Sequence, residues 1–427
     1  MQFSSDRSRD VGRDLRTKLE VDGGPIVFLG CTNAMPFAYA LELRSLGYPV
    51  VCVVDSDRNT PLHRPETHFA EISYPYPDWI VEVRLKTTFE IPFRRGHYSR
   101  IIHELVGANL GAAPQAFILN GFWVTLAPLL SSSGAAVLGL SHGADLDSWA
   151  DVESAGTLAD ALGRSTRFRF LPGPLKSSLV RQAVKRQFAG FAACDQVIYF
   201  PKGISESGDR VLEKLERLGV RRVERFDVSP KPVADRRDRT AIVDGRLNLV
   251  STMRFSFQSF PGGNKSFSKG NDVMLRGIAM YARENPQTRV HLVRKGMDLP
   301  AAEVLVRDLG LTEHVVWHDE MDVEEMLDLY QDSDICFDQV GESWLGAVGG
   351  YALYMGKPLI ASVQNLVDSG IWPAEHPVDE ARTEEQIAEA ISRLSSQPTR
   401  ERDVEARISF AYEHLSPSKV LRTVFDF

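Results

Sequence analysis

Residues 337–360 read FDQVGESWLGAVGGYALYMGKPLI, and this stretch is the most informative about the fold. An apolar run ends near Asp338, glycines lead into a segment of helical character, and Gly356-Lys357-Pro358 ends that segment before the next apolar run. A strand, a helix and a second strand in this order are typical of parallel strands joined by a crossover helix. The stretch therefore predicts a parallel sheet covered by helices.

The same alternation continues on both sides of this stretch. Short apolar runs, suited to burial on both faces, alternate with segments of helical spacing in the N-terminal half and again in the C-terminal half. We predict an α/β protein with two Rossmann-like, doubly wound parallel-sheet domains that face a central cleft. The predicted strands are 25–30, 49–54, 116–120, 136–140 and 195–200, then 247–251, 289–293, 315–317, 334–337 and 359–362; the predicted helices are 37–46 and segments that begin near Asn271, Pro300, Asp322 and Gly346.

A chain of 427 residues is long enough for two such domains. Residues 229–245 combine two prolines, a charge cluster and a glycine without periodicity, which is typical of a linker. The first twenty residues lack the apolar stretch of a signal peptide. The predicted divisions are a flexible leader at 1–22, a first domain at 23–228, the linker at 229–245, a second domain at 246–400 and a C-terminal helix at 401–427.

The composition excludes several classes of protein. A hydrophobic fraction of 43% without a long apolar run argues against a transmembrane protein. A net charge of -8 argues against a general nucleic-acid binder. The four cysteines are scattered and have neither metal-site nor disulfide spacing, so the predicted location is the reducing cytoplasm.

The loops after the strands are the predicted binding positions, because ligands of open parallel sheets bind beyond the carboxyl ends of the strands. Glycines before the helix near Gly346 would let the backbone approach a diphosphate. The same glycines would also permit close packing of the helix on the sheet, and their spacing does not separate the two interpretations. Walker, Gly-x-Gly-x-x-Gly and His-Glu-x-x-His sequences are absent from the chain.

Six short motifs lie between 247 and 362: Lys269-Gly270-Asn271-Asp272, Lys295-Gly296, Leu309-Gly310-Leu311, Val315-Val316-Trp317, residues 334–339 (DICFDQ) and Met355-Gly356-Lys357-Pro358. In their order and spacing they resemble the donor half of the retaining family 4 glycosyltransferases, which have the two-domain GT-B fold. The resemblance implies transfer of a sugar from a nucleoside diphosphate sugar, bound mainly by the second domain, to a glycan, lipid-linked or small-molecule acceptor on the first. It implies retention of configuration, no metal and no bound cofactor, a hexosyltransferase-like role in carbohydrate biosynthesis, and a C-terminal helix that returns to the first domain.

The resemblance also implies which residues bind the donor. Lys269 matches a basic position that neutralises the diphosphate, and Arg254 or Lys295 is the candidate for a second cation. Gly346 lies in the glycine-rich loop that would receive the nucleotide.

Two glutamates of the family, one at the sugar and one at the nucleotide ribose, have no direct counterpart. Alignment on the Gly-Lys-Pro motif places Ser343 and Tyr351 at those positions. Glu342 or Asp338 is therefore the candidate for contact with the sugar hydroxyls, and the carboxylate at the ribose has no substitute.

The N-terminal half resembles the family more weakly. Residues 141–145 (SHGAD) match a turn near the transferred sugar, so His142 is predicted to position that sugar; a purely structural histidine is the alternative. Asn33, in the loop after the first strand, would contact donor or acceptor, or would cap the following helix.

Other functions stay open on the sequence alone. A nucleotide-sugar 2-epimerase uses the same double fold, and a non-catalytic GT-B protein that binds a glycan or a partner would explain the missing glutamates. The acidic residues at 319–325 are interpreted as a solvated helix start rather than a metal site. The basic segment 164–188 has apolar residues on one helical face, which would either pack on the first domain or lie on the inner face of an anionic membrane.

Overall fold

A computed structural model describes residues 17–54, 64–69, 71–110, 112–163, 172–227, 245–259, 268–341, 345–395 and 403–426. The predicted α/β class is confirmed, because these residues form two parallel sheets of seven and six strands with helices between the strands. The strands are β1 (Thr17–Lys18), β2 (Ile26–Leu29), β3 (Val50–Val54), β4 (Ile80–Glu82), β5 (Ala116–Leu119), β6 (Ala136–Leu140), β7 (Gln196–Tyr199), β8 (Arg221–Glu224), β9 (Leu247–Ser251), β10 (Thr288–Val293), β11 (Val315–His318), β12 (Ile335–Phe337), β13 (Leu359–Ala361), β14 (Val378–Glu380) and β15 (Phe425–Asp426). The α-helices are α1 (Met35–Ser45), α2 (Arg95–Leu110), α3 (Ala127–Leu130), α4 (Ala144–Asp147), α5 (Ala155–Gly163), α6 (Gly173–Ala192), α7 (Glu206–Arg217), α8 (Asn271–Glu284), α9 (Leu299–Asp308), α10 (Val323–Gln331), α11 (Ala347–Tyr354), α12 (Gln364–Asp368), α13 (Glu384–Leu394), α14 (Val404–Leu415) and α15 (Pro417–Val424).

The first sheet has the strand order β4-β3-β2-β5-β6-β7-β8, and every neighbouring pair is parallel. The chain runs outward from β2 through β3 to β4 and then returns to the other side of β2 with β5. The direction of winding therefore reverses between β2 and β5. In sheets of this kind, that point leaves a crevice at the carboxyl edge where ligands bind.

The second sheet repeats this design with the order β11-β10-β9-β12-β13-β14, again all parallel. Its winding reverses between β9 and β12. The fully buried central strands are the apolar runs that the sequence predicts, since helices cover both faces of the sheet.

Helix α10 shows why the acidic segment 319–325 starts a helix. The side chain of Asp322 accepts a hydrogen bond from the backbone N–H of Glu325, and the Glu325 side chain accepts one from the backbone N–H of Asp322. This reciprocal capping satisfies two N–H groups that have no partner inside the helix. Two of the acidic residues thus act as a helix cap.

The end of the chain contacts both units, where the first unit is the seven-stranded sheet with its helices and the second unit is the six-stranded sheet with its helices. Helix α14 packs on α11 beside the second sheet, whereas α15 packs on α1 beside the first. Strand β15 then pairs in parallel with β1, and Leu19 and Phe425 are both buried in the core of the first unit. Residues 17–19, which fall in the predicted leader, are therefore part of the folded structure. Residues 1–16 and nearly all of the predicted linker lie outside the described residues.

Helix α6 contains the described part of the basic segment 164–188. Val180 and Val184 are buried in a small cluster with residues of α5, and Ala183 is also buried. Leu175 is 47% exposed. Most of the apolar face is thus covered by the first unit itself, while residues 164–171 lie outside the described part. Among the described residues, no helix is long and apolar enough to cross a membrane.

Candidate functional site

The carboxyl edge of the second sheet brings together the residues predicted to bind a diphosphate. Arg254 follows β9, Lys295 follows β10, Asp338 and Gln339 follow β12, and Lys269 lies shortly before α8. These loops surround the point where the winding of the sheet reverses. The Nζ of Lys269 donates a hydrogen bond of 2.7 Å to Oε1 of Gln339. This bond joins the loop before α8 to the loop after β12.

Gly270 explains why a glycine follows Lys269. Its φ of +66° lies in the left-handed region that side chains disfavour. A Cβ at this position would also lie 2.6 Å from the backbone nitrogen of Gly341. The two loops therefore approach as closely as their backbones allow, and the Lys-Gly pair holds the Lys269 side chain beside Gln339.

Three cations share this edge: Lys269, Arg254 and Lys295, called the basic cluster below. Burial lowers the pKa of Lys269 to about 8; the positive charge of Arg254 adds to that effect and Asp338 opposes it. Burial, followed by Arg254, also lowers the pKa of Lys295, while Glu320 opposes this. A lysine whose pKa is lowered by a neighbouring cation is stabilised in its charged form when an anion binds beside it. The basic cluster is thus suited to a polyanion such as a diphosphate.

Asp338, one of the two carboxylates predicted to contact the sugar, lies beside the start of α11. It is fully buried, and its Oδ2 accepts a 2.5 Å hydrogen bond from the backbone N–H of Gly346, which immediately precedes α11. Burial raises the pKa of Asp338, and the bonds from Gly346, Gln339 and Gly349 together with the charge of Lys269 oppose that rise. Oδ2 of the carboxylate therefore caps the N-terminus of α11, whereas Oδ1 is buried without a hydrogen-bond partner among the described residues.

The glycines of this loop lie in close contact with the residues that follow β12. A Cβ at Gly349 would lie 2.5 Å from Oδ2 of Asp338 and 2.6 Å from Cδ1 of Leu345, so this glycine permits close packing of helix on sheet. Gly346 lies at the mouth of the same loop, where a Cβ would lie 2.7 Å from Nε2 of Gln339. Bulk at Gly346 would therefore displace the partner of Lys269.

The structure gives less information on the other residues that the sequence predicts to bind the sugar donor. Tyr351 is only 4% exposed and packs in the core of the second unit. Glu342 and Ser343 lie outside the described residues. Asn33 belongs to a short 3-10 helix, Thr32–Ala34, but its side chain also lies outside what the structure describes.

Two buried side chains organise the corresponding edge of the first sheet. Asn120 follows β5; its Oδ1 accepts from the backbone N–H of Thr32 at 3.1 Å, and its Nδ2 donates to the carbonyl of Leu140 at 2.7 Å. Asp145 accepts hydrogen bonds from the Ser141 hydroxyl at 2.6 Å and from the backbone N–H of Gly121 at 3.2 Å. The loops after β2, β5 and β6 are therefore fixed relative to one another. Burial raises the pKa of Asp145 to about 6.

His142 follows β6 and is held by a residue that the sequence does not point to. Its Nδ1 lies 2.9 Å from Nη2 of Arg225, which follows β8. Arg225 is almost completely buried and pairs with Oδ1 of Asp227 at 2.6 Å. Burial and the charge of Arg225 hold the pKa of His142 well below its usual range. The predicted histidine is therefore part of a polar network that includes the buried Arg225 and Asp227.

Sequence comparison finds no match: no protein-family model and no curated protein matches the chain. Solved structures do match, over almost the whole length. They include sucrose-phosphate synthase from Thermosynechococcus elongatus (14% identity, 93% of this chain and 96% of that chain, TM-score 0.55) and a glycosyltransferase from Rickettsia africae (12%, 94% and 96%, TM-score 0.57). A third is the Anabaena protein HepE in complex with UDP and glucose (13%, 94% and 98%, TM-score 0.55).

These neighbours are GT-B glycosyltransferases, and the chain has their fold of two facing Rossmann-like units. At such low identity the likeness establishes the architecture alone, because one fold supports many different chemistries.

Proposed function

We propose that this protein is a glycosyltransferase that moves a sugar from a nucleoside diphosphate sugar to an acceptor. The observation that supports this most strongly is the basic cluster at the reversal point of the second sheet, in a GT-B fold. The HepE structure, which has the same fold, contains UDP and glucose. Lys269, Arg254 and Lys295 supply positive charge at the edge where such a fold binds its ligand.

The basic cluster fits the chemistry of a departing diphosphate. When the bond between the anomeric carbon and the phosphate oxygen breaks, negative charge accumulates on the leaving group. Cations placed beside the leaving group, such as the half-buried Lys269 held by Gln339, stabilise that charge more than they stabilise the intact donor. The acceptor hydroxyl forms the new bond to the anomeric carbon, and its proton passes to the phosphate oxygen of the departing diphosphate. We propose retention of configuration, without a metal, on the basis of the sequence resemblance.

The acceptor is proposed to bind at the fixed loops of the first unit, near His142. A glycan, a lipid-linked molecule and a small molecule all remain candidates. Contact with the inner face of a membrane through 164–188 would favour the lipid-linked acceptor. The buried apolar face of α6 favours the other two.

One experiment tests the donor assignment. The protein is titrated with UDP, ADP and GDP by calorimetry and then incubated with the matching nucleotide sugars and a panel of acceptors. We expect tight binding of one nucleoside diphosphate and transfer to an acceptor, with the anomeric configuration read by NMR. Conversion of the donor to its 2-epimer would instead identify an epimerase.

A Lys269→Ala variant tests the role of the basic cluster in the same assay. We expect the loss of transition-state stabilisation in kcat/KM to be about 2 to 4 kcal/mol, the usual scale for one lost charge-stabilising donor. Lys202→Ala is the matched control, since that lysine side chain is 69% exposed in the first unit. Equal activity of Lys269→Ala and wild type would exclude the assignment.

A non-catalytic binding protein is the second candidate. The replacement of the two family glutamates by Ser343 and Tyr351, and the burial of Tyr351, favour it. Tight binding of a nucleoside diphosphate without transfer or hydrolysis of any nucleotide sugar would support this alternative.

A further inference from the structure

The contact between Arg225 and His142 determines which ring nitrogen of the histidine holds the proton. Nη2 of Arg225 lies 2.9 Å from Nδ1 of His142 and donates to the carbonyl of Ser141 at 2.7 Å. A guanidinium group has only N–H donors and no acceptor. The contact is therefore a hydrogen bond only when Nδ1 has a free lone pair. The proton of the neutral imidazole then lies on Nε2.

Arg225 is itself held in place by other residues, so the fold determines which ring nitrogen of His142 holds the proton. Its Nη1 donates to Oδ1 of Asp227 at 2.6 Å, and Oδ2 of Asp227 accepts from the hydroxyl of Tyr39 in α1. The guanidinium also lies over the ring of Phe200, 4.9 Å from its centroid. Arg225 is 3% exposed and cannot turn away into solvent.

A second proton on the imidazole is opposed by its surroundings. It would have to bind at Nδ1, directly against the guanidinium of Arg225, and burial also disfavours the charged ring. Asp145 in α4 accepts from the backbone N–H of His142 at 3.1 Å. The carboxylate of Asp227 is engaged by Arg225 and Tyr39. The nearby acids are thus committed elsewhere.

The Nε2 atom is buried and has no hydrogen-bond partner among the described residues. A buried N–H without an acceptor is costly, so such a group is suited to an acceptor atom that arrives with a ligand. The diphosphate of the proposed donor has the basic cluster of the other unit as its counter-charge. The uncharged N–H group of His142 is suited instead to an uncharged oxygen atom, such as that of a sugar hydroxyl.

We propose that Arg225 is a positioning residue that fixes His142 as a neutral Nε2–H donor; contact of this donor with a hydroxyl oxygen of the transferred sugar is what the sequence resemblance already implies. The tautomer follows from the structure alone, whereas the identity of the ligand rests on the proposed function. One chemical consequence is specific. Because Nε2 already holds a proton and Nδ1 is blocked by Arg225, His142 does not remove the proton from the acceptor hydroxyl.

Nitrogen NMR of protein labelled with 15N-histidine tests the tautomer without any activity. The signals of His142 are assigned by their loss in His142→Gln. We expect wild type to show the Nε2–H tautomer, without titration, between about pH 6 and about pH 8. An Nδ1–H tautomer, or protonation of His142 in that range, would overturn the proposal.

Variants of Arg225 test its part in this arrangement. In Arg225→Met we expect a mixture of tautomers and a histidine that titrates in the same pH range, and in Arg225→Lys, which keeps a cationic donor, the wild-type signals. Arg222→Met is the matched control, because Arg222 lies on β8 with a side chain only 8% exposed and pairs with Asp209. Unchanged His142 signals in folded Arg225→Met would show that Arg225 does not set the tautomer.

Two substitutions of His142 test the ligand contact. Glutamine retains an N–H donor near the position of Nε2, and phenylalanine retains only the ring shape. We expect His142→Gln to keep transferase activity within about tenfold of wild type and His142→Phe to lose about 100-fold or more, whereas a general base would lose about 10²- to 10⁴-fold in both variants. Equal losses would overturn the donor role. If wild type transfers no sugar, the proposed function fails and the ligand assignment with it, while NMR still decides the role of Arg225.

Discussion

Lys269 shows how burial can turn an ordinary lysine into a pH-sensitive group. Its hydrogen bond to Gln339 fixes the ammonium at the reversal point of the sheet, where it is half-buried beside Arg254. Its pKa is lowered to about 8, chiefly by burial. The residue is still largely charged at neutral pH, but it loses its proton within a range that experiments reach easily.

We therefore expect the affinity for a nucleoside diphosphate to fall as the pH rises through about 8. Because the pKa of Lys269 is about 8 in the free site, this lysine loses its positive charge as the pH rises above that value. The terminal phosphate has a pKa of about 6, so its charge does not change over the same range. Calorimetric titrations with UDP between about pH 7 and about pH 9 measure this effect. Lys269→Arg is the control, since arginine stays charged and should remove most of the pH dependence. A wild-type affinity that is constant over this range would contradict the prediction.

Gly346 lies beside Gln339 and Asp338 at the proposed nucleotide site. Its φ of −95° and ψ of 174° are open to any residue, so a substitution acts through its side chain rather than through strain. A Cβ would lie 2.7 Å from Nε2 of Gln339 and 3.2 Å from the carboxylate of Asp338. We expect Gly346→Val to fold and to weaken UDP binding at least about tenfold, a loss of about 1.4 kcal/mol.

The control for Gly346→Val is Gly96→Val, because a Cβ at Gly96 would meet nothing within 4 Å. Calorimetry gives the UDP affinity of both variants, and circular dichroism confirms that they are folded. Folded Gly346→Val with wild-type affinity for UDP would show that the nucleotide does not bind at this loop.

The predicted strands differ from the observed ones mainly at the edges of the sheets. Central strands such as β2, β3 and β5 are buried at every residue, so they read as unbroken apolar runs. Strands β4 and β14 lie at sheet edges and β8 reads Arg-Arg-Val-Glu, and all three contain charged or partly exposed residues. The hydrophobic pattern therefore predicts the central strands of both sheets but only one of their four edge strands, β11.

The candidate site divides in a similar way between local and distant contacts. Lys269, Gly270 and Gly346 are recognisable because each belongs to a short motif at the end of a strand or the start of a helix. Arg225 lies 83 residues from His142 along the chain and reaches it only because β6, β7 and β8 are adjacent in the sheet. Nothing in the local sequence around either residue indicates that contact.

Helix α6 gives a prediction at the scale of one element. Arg181 and Lys185 are exposed, but Val180 and Val184 are buried against the first unit. Membrane adsorption of a helix requires an exposed apolar face as well as positive charge. We therefore expect no sedimentation of the protein with anionic liposomes, even at low salt, where charge attraction is least screened.

The liposome experiment uses vesicles with and without anionic lipid. If wild type does bind the anionic vesicles, Arg181→Glu/Lys185→Glu should abolish binding and leave UDP affinity unchanged. That outcome would contradict our expectation and would favour a lipid-linked acceptor.

At the scale of the whole molecule, each sheet has its own apolar core, and the end of the chain contributes to both. Phe410 in α14 is buried in the core of the second unit. Val420, Leu421 and Val424 of α15, with Phe425 of β15, are buried in the core of the first. The stability of the first unit thus depends on residues that follow the second unit in the sequence.

This arrangement predicts that the two units respond separately to a ligand and to a core substitution. In differential scanning calorimetry we expect two transitions. UDP should raise the temperature of the transition that belongs to the second unit, since a ligand stabilises the native state to which it binds.

Phe425→Ala should lower the transition temperature of the first unit, because truncation of a buried phenylalanine costs about 3 to 5 kcal/mol. Thr423→Ala is the matched control: this exposed residue lies two positions away, and its substitution should change stability by less than about 0.5 kcal/mol. A single transition shifted by both UDP and Phe425→Ala would show instead that the two units unfold as one, with the returning helix and strand joining their cores into a single cooperative structure.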